Sequence, residues 1–389
     1  MPNFHGIRVN EPITGVMPLV EKSTAVIGLI ATASAPGAEA AELDAAFPLN
    51  KPVLVTDVRA AIGRAGDDGT LAKALRAIAT QGSPVVVVIR IAEGADADTT
   101  AANAIGSSVA GVYTGMQALL AAPARLGVRP RILGAPGLDT QAVATALAAV
   151  ARELRGMVYA AARPGATLAA DVAAANDYRG EFGDRELMLI WPDFTGWDGH
   201  AVAVALGTRA MLDTRIGWHK SLSNIAVAGV EGISKDVSFD IRSSANDAAV
   251  LNENQVTTLV RMDGYRFWGN RTCANDLIFT FEVAVRTSQV IQDAIADANA
   301  SVIDKPMTVG LVRDIVEMTN ARLARWVTQG RLIGGECWYD PEQNAPSALA
   351  AGQLAVDYDF TAVAPLEGLT QNQRITDRYY LSFADRVNA

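Results

Sequence analysis

Val85, Val86, Val87, Val88 and Ile89 follow one another inside an apolar stretch over 84–91. A run without polar alternation marks a strand covered on both faces, as in a parallel sheet. Shorter apolar runs at 25–31 and 52–56 precede it. Between the second and third runs, Leu71, Leu75 and Ile78 fall on one helical face, with Thr70 placed to cap its start and Gly82 its end. The alternation continues through an expected strand at 131–135, helix at 140–154, strand at 157–161, helix at 168–179, strand at 187–191 and helix at 200–212. Strands and helices alternating through short links predict a mostly parallel, doubly wound α/β sheet.

Beyond about residue 220 the pattern changes. Residues 237–241, 256–262 and 277–285 read as strands, and two helices are expected at 289–300 and 308–329. Residues 354–361 (LAVDYDFT) alternate strictly, which fits a half-buried strand. This part reads as a separate α+β unit. The two ends differ from both units: residues 1–22 carry Pro2, Pro12 and Pro18 and too few large apolar groups to fold alone. After Pro365 a polar linker leads to Tyr379, Tyr380, Leu381, Ser382 and Phe383, which read as a short apolar strand. Both ends are expected to be extended arms. The chain therefore divides into an arm at 1–22, an α/β domain at 23–245, an α+β domain at 246–365 and a second arm at 366–389.

Composition narrows the function. The 389 residues are 50% hydrophobic and 6% aromatic, enough for one large core or two ordinary ones. A formal net charge of -9 repels phosphate backbones and anionic headgroups, so nucleic acid is not an expected partner. No apolar stretch reaches the roughly 18 to 20 residues of a membrane span, and the opening residues lack a signal-peptide pattern. Folding in a reducing cytosol is expected, with Cys273 and Cys337 as small buried apolar groups.

Catalytic signatures are missing where they would be needed. There is no GxxxxGK[ST] loop and no GxGxxG turn to cradle phosphates. His5, His200 and His219 are the only histidines, and no HExxH pairs them. His5 lies in the expected arm and His200 at a helix start. His219 has Ser221 and Asn224 close by, but triads are spatial constellations, and packing or hydrogen bonding is the better reading. Asp67, Asp68, Asp96 and Asp98 lie in loops without calcium-loop spacing. We therefore expect no catalytic residue, cofactor or metal. The alternative is a small-molecule or nucleotide-binding α/β enzyme, with its ligand at the strand ends near Ala135, Pro136, Gly137 and Trp191, Pro192, Asp193.

The densest aromatic and basic segment is 261–272 (RMDGYRFWGNRT). Such interleaving can stack single-stranded nucleic acid. In an acidic chain it reads better as a hairpin turning at Asp263 and Gly264, with aromatics in a core and arginines on carbonyls. The longer segment 251–272 (LNENQVTTLVRMDGYRFWGNRT) resembles the sheath proteins of contractile tails, those of myophages and R-type pyocins. The similarity runs along the chain through Phe4, His5 and Gly6, STAVIGLI at 23–30, NKPVLVTD at 50–57, RPRILGAPG at 129–137 and GWHKSLSN at 217–224. It continues through Asp304, Lys305 and Pro306, LIGGE at 332–336, and Pro365, Leu366 and Glu367.

The resemblance implies an outer domain inserted into an inner one that contacts a tail tube, within stacked hexameric rings. It implies arms that add strands to neighbouring subunits, here through Phe4, Ile7 and Val9 at one end and Tyr380, Leu381 and Phe383 at the other. It further implies a metastable extended sheath that contracts to drive the tube through a bacterial envelope. Implied partners are copies of the chain, the tube, baseplate and terminator proteins, in a virion tail or bacteriocin particle assembled in the host cytoplasm. The tube-facing helix matches 308–329, whose basic candidates are Arg313, Arg322 and Arg325, with Arg331 just beyond. Arg322 and Arg325 are near neighbours on that helix, Arg313 projects elsewhere, and Asp314 and Glu317 intersperse the charge.

Overall fold

The computed structural model describes residues 23–387. Its centre is a ten-stranded sheet. Its main strands, in chain order, are β1 (Ile27–Ser34), β2 (Pro52–Val55), β3 (Val86–Ile91), β4 (Ile132–Gly134), β5 (Met157–Ala161), β6 (Leu187–Ile190), β7 (Ala226–Val227), β8 (Val256–Arg261) and β9 (Tyr265–Trp268). They lie in the spatial order β7-β9-β8-β6-β5-β4-β1-β3-β2. The stretch from β8 to β3 is parallel throughout, and β2, β9 and β7 join antiparallel at the edges. The expected doubly wound sheet is therefore present.

Alternate side chains divide two cores. Ile27, Leu29 and Ala31 of β1 pack toward helices α1 (Leu71–Gln81) and α3 (His200–Arg215), while Val26 and Ile30 point to the opposite face and helix α2 (Gln141–Leu154). Each fully buried Leu or Ile contributes about 1.5–3 kcal/mol. Gly28 is needed for closeness: a Cβ there would come within 2.6 Å of the Leu133 side chain. Thr70 does not cap α1; its hydroxyl accepts from the Thr32 amide at 3.2 Å and ties the helix start to β1.

Several expectations beyond residue 220 need correction. The hairpin at 256–268 turns through Asp263 and Gly264, both left-handed, but it hydrogen-bonds into the large sheet rather than a separate unit. Residues 237–241 form no strand, because Phe239 is held edge-on against Trp268 at 5.0 Å instead of by a ladder. Residues 277–285 form no strand either: the Asp276 carboxylate accepts from the Ile278 and Phe279 amides at 2.9 and 2.7 Å and turns the chain into helix α4 (Glu282–Asn299).

The second unit packs α4, helix α5 (Val309–Thr328) and an antiparallel pair, β10 (Leu332–Trp338) and β11 (Asp357–Ala362). Its small core gathers Trp218, Ile291, Leu323, Trp326, Leu332 and Cys337. Cys273 and Cys337 are both free and buried, and burial pushes the Cys273 thiol up to about 12. Among the described residues no helix is long and apolar enough to cross a membrane.

Candidate functional site: the joint, the open hairpin and the chain ends

A buried charge cluster joins the two units. Arg209 and Asp213, one turn apart on α3, pair at 2.7 Å, and Arg209 reaches Glu282 of α4 at 3.4 Å. Arg286 pairs with Asp213, and the Tyr159 hydroxyl donates to Glu282. All of these side chains are nearly fully buried. Charges so placed persist only when paired and hydrogen-bonded, and removing one partner is costly. Arg209 also donates to the carbonyls of Lys220 and Gly217 at 2.6 and 3.2 Å. Burial opposes its charge, but Asp213 and Glu282 outweigh burial and raise its pKa. Burial, and then Glu282, hold the Tyr159 phenol well above its ordinary value.

A second cluster lies alongside. Asp293 of α4 pairs with Arg131, Arg155 and, at 3.4 Å, Arg129. Burial, followed by the neighbouring Arg129, Arg155 and Arg286, brings the Arg131 guanidinium down to about 9. A cavity of about 240 Å³ opens here, lined by Thr24, Arg131, Trp218, Asp293, Arg322 and Arg331 among others. The four basic candidates on and after α5 thus separate. Arg322 lies over the Trp326 ring at 5.3 Å and Arg331 over Trp218 at 4.6 Å, both at this cavity, whereas Arg313 and Arg325 are exposed.

Among the described residues no third strand joins the β10–β11 pair, although Asn320 of α5 closes part of the β10 edge by bonding the Cys337 amide and carbonyl, both at 2.8 Å. Ile333 is 65% exposed and Trp338 40%. An unpaired edge beside apolar side chains is a template for an added strand. After Ala362 the chain leaves along the surface, and Arg271 holds Glu367 there at 2.8 Å. The expected strand at 379–383 is absent from the single chain. A 3-10 turn (Arg378–Ser382) and a short helix (Phe383–Val387) stand in its place, closed by the Tyr380 amide on the Asp377 carbonyl at 2.8 Å. Without a partner edge, local hydrogen bonds replace the ladder. The Tyr380 and Phe383 rings are exposed, 6.0 Å apart, and Leu381 lies in the same turn. Phe4, His5, Ile7 and Val9 lie outside the described residues.

Residues 24–91 match the N-terminal region of domain III of the tail sheath protein Gp18, residues 111–273 the phage tail sheath central domain, and residues 275–376 the phage tail sheath C-terminal domain. The tail sheath protein of Escherichia phage P2 is 47% identical over 99% of this chain and 98% of its own. This chain belongs to the phage tail sheath family. The major tail sheath protein of Serratia phage KSP20 is 44% identical over 97% of this chain and 96% of its own. In fold, the sheath protein matches the helical sheath of the anti-feeding prophage in its contracted state, at a TM-score of 0.69 and 17% identity over 97% of this chain and all (100%) of the other.

The sheath protein fills with its own side chains the strand-end crevice where an α/β enzyme would hold a ligand. Asp139 accepts from the Ala161 amide at 2.6 Å and pairs with Arg163 at 3.2 Å. Asp193 accepts from the amides of Phe194, Gly199 and Ala201 and so caps α3. Gly137 faces the Asp198 carbonyl, where a Cβ would come within 2.5 Å. The Ser221 hydroxyl is committed to Asn270, and His200 packs on Trp197 with Nδ1 on the Thr195 carbonyl at 2.8 Å. Asp96 caps a helix through the Thr99 amide, and among the described residues no three His, Cys, Asp or Glu side chains gather for a metal. In the hairpin, Phe267 enters the core and Arg266 donates to the Met262 and Asn224 carbonyls. The sequence signal missed at the joint was the pair of i, i+4 spacings, Arg209 with Asp213 and Glu282 with Arg286.

Proposed function

We propose that this chain is the load-bearing subunit of a contractile tail sheath, that it performs no catalysis, and that copies of it polymerise as stacked hexameric rings around a tail tube. The observation that carries the reading is the 47% identity to a tail sheath protein across nearly the whole of both chains. A β10–β11 pair that no third strand joins supports strand addition by arms from neighbours. In this reading the α/β unit faces outward, and the α+β unit and α5 face the tube, with exposed Arg313 and Arg325 as contacts to acidic groups there. Baseplate and terminator proteins bound the polymer at its ends, in a particle assembled in the host cytoplasm.

The extended sheath is a kinetically trapped packing in which subunits rotate as bodies on contraction and exchange smaller interfaces for larger ones. A few kcal/mol per subunit suffices when many rings switch in turn. The test is electron microscopy of the chain co-expressed with the tube and baseplate proteins of its own phage. Ringed sheaths that shorten and widen on triggering are expected; bare tubes beside soluble chain would overturn the reading.

A further inference from the structure

Four stretches of the sequence meet where the C-terminal segment leaves the fold: 216–224, 249–253, 268–271 and 363–367. They border a cavity of about 730 Å³. Arg271 grips Glu367 with two nitrogens, Nη2 to Oε2 at 2.8 Å and Nε to Oε1 at 3.2 Å. A planar fork on a carboxylate is stronger and more directional than a single contact. Asn270 Nδ2 approaches the same Oε1 at 3.5 Å, and its own side chain is held by the Ser221 hydroxyl. Arg271 is set in place by a backbone bridge to Phe281, whose ring centroid lies 6.0 Å from the guanidinium. Residues 363–376 have no regular secondary structure, and among the described residues Glu367 supplies the hydrogen bonds that tie them to the rest of the fold.

The turn that borders this cavity also borders the other. Ile216 and residues 219–221 line the cavity at the C-terminal segment, while Gly217 and Trp218 line the one beside Ser23, Thr24 and Ala25. One turn therefore borders both cavities, and Arg209 fastens that turn to α3 through the Gly217 and Lys220 carbonyls.

We propose that Arg271 and Glu367 form a clasp that fixes where the C-terminal arm leaves the subunit, so that force along the arm reaches, through Asn270 and Ser221, the 216–224 turn that also borders the cavity beside Ser23, Thr24 and Ala25. Both are positioning residues, and the inference rests on the arms being links between subunits. The clasp is partly exposed, so reversing either charge raises the share of open conformations by about two- to fivefold rather than abolishing the fold.

The test is the distance distribution between spin labels on Val250→Cys and Leu369→Cys in the full chain, both positions being exposed and the native cysteines buried. Arg271→Glu and Glu367→Arg are each expected to add longer distances, and the double reversal to remove them, with one melting temperature throughout. Unchanged distributions in the single variants, or a double variant as open as either, would overturn the clasp. A melting temperature that falls in step with the opening would also overturn it, in favour of a folding role. Truncation after Pro365 tests the arm reading separately: normal polymers from the shortened chain would sink that reading whatever the distances show.

Discussion

All six residues of β3 are buried, whereas in β10 and β11 only Leu332 and Cys337 are. The first strand lies inside a sheet covered by helices on both faces; the other two form a pair that no third strand joins. The contrast teaches where the chain is complete in itself. The α/β unit closes two large cores of its own and leaves few large apolar groups out, Val109 and Val112 among them, while the smaller unit displays Ile303, Val309, Ile333 and Trp338 and a strand pair that no third strand joins. Surfaces left unfinished by one chain are what a polymer of identical chains needs to complete.

Mutations separate the two regions by the size of their effect on the isolated chain. The largest is expected at the joint: Asp213→Ala leaves Arg209 and Arg286 to share Glu282 in the interior and costs about 3–5 kcal/mol in urea unfolding. A loss under about 1 kcal/mol would show that the cluster does not hold the units together. Within the sheet, Leu29→Ala leaves a cavity between β1 and its helices and costs about 2–5 kcal/mol, read from the same transition.

A pH series sharpens the contrast further. Burial is the main cause that brings the Asp193 carboxyl from 3.8 up to about 6, against the amides that it caps. A carboxyl with a raised folded pKa contributes stability fully below its unfolded value and loses it as pH rises through the folded value. Relative to Asp193→Asn, the native chain is therefore expected to lose about 3 kcal/mol between pH 3.5 and 7. Unfolding free energies that stay parallel across that range would contradict the assignment. The smallest effect belongs to the open hairpin: Ile333→Ser changes chain stability by less than about 0.5 kcal/mol but reduces polymer yield in sedimentation.

The same contrast explains what the sequence revealed. Valines 85–88 and the helical spacing of Leu71, Leu75 and Ile78 stand for contacts within one chain, and the strand and helix that they predict are present. Asp276 illustrates a local competitor: its carboxylate turns residues whose apolar run reads as a strand. The apolar pattern at 379–383 pairs with no strand of its own chain, and the segment coils into a turn. The joint was hidden because burial of Arg209 and Glu282 depends on partners 73 residues apart. A distant partner likewise set Arg331 apart from Arg313 and Arg325, since Trp218 beneath it comes from far earlier in the chain, whereas Arg322 lies over Trp326 of its own helix.

The most direct measurement is negative-stain electron microscopy of the purified chain at rising concentration, beside a version lacking residues 1–20. Ringed tubes from the full chain and none from the shortened one are expected of subunits that finish one another's sheets. Isolated particles from both at every concentration would contradict that account.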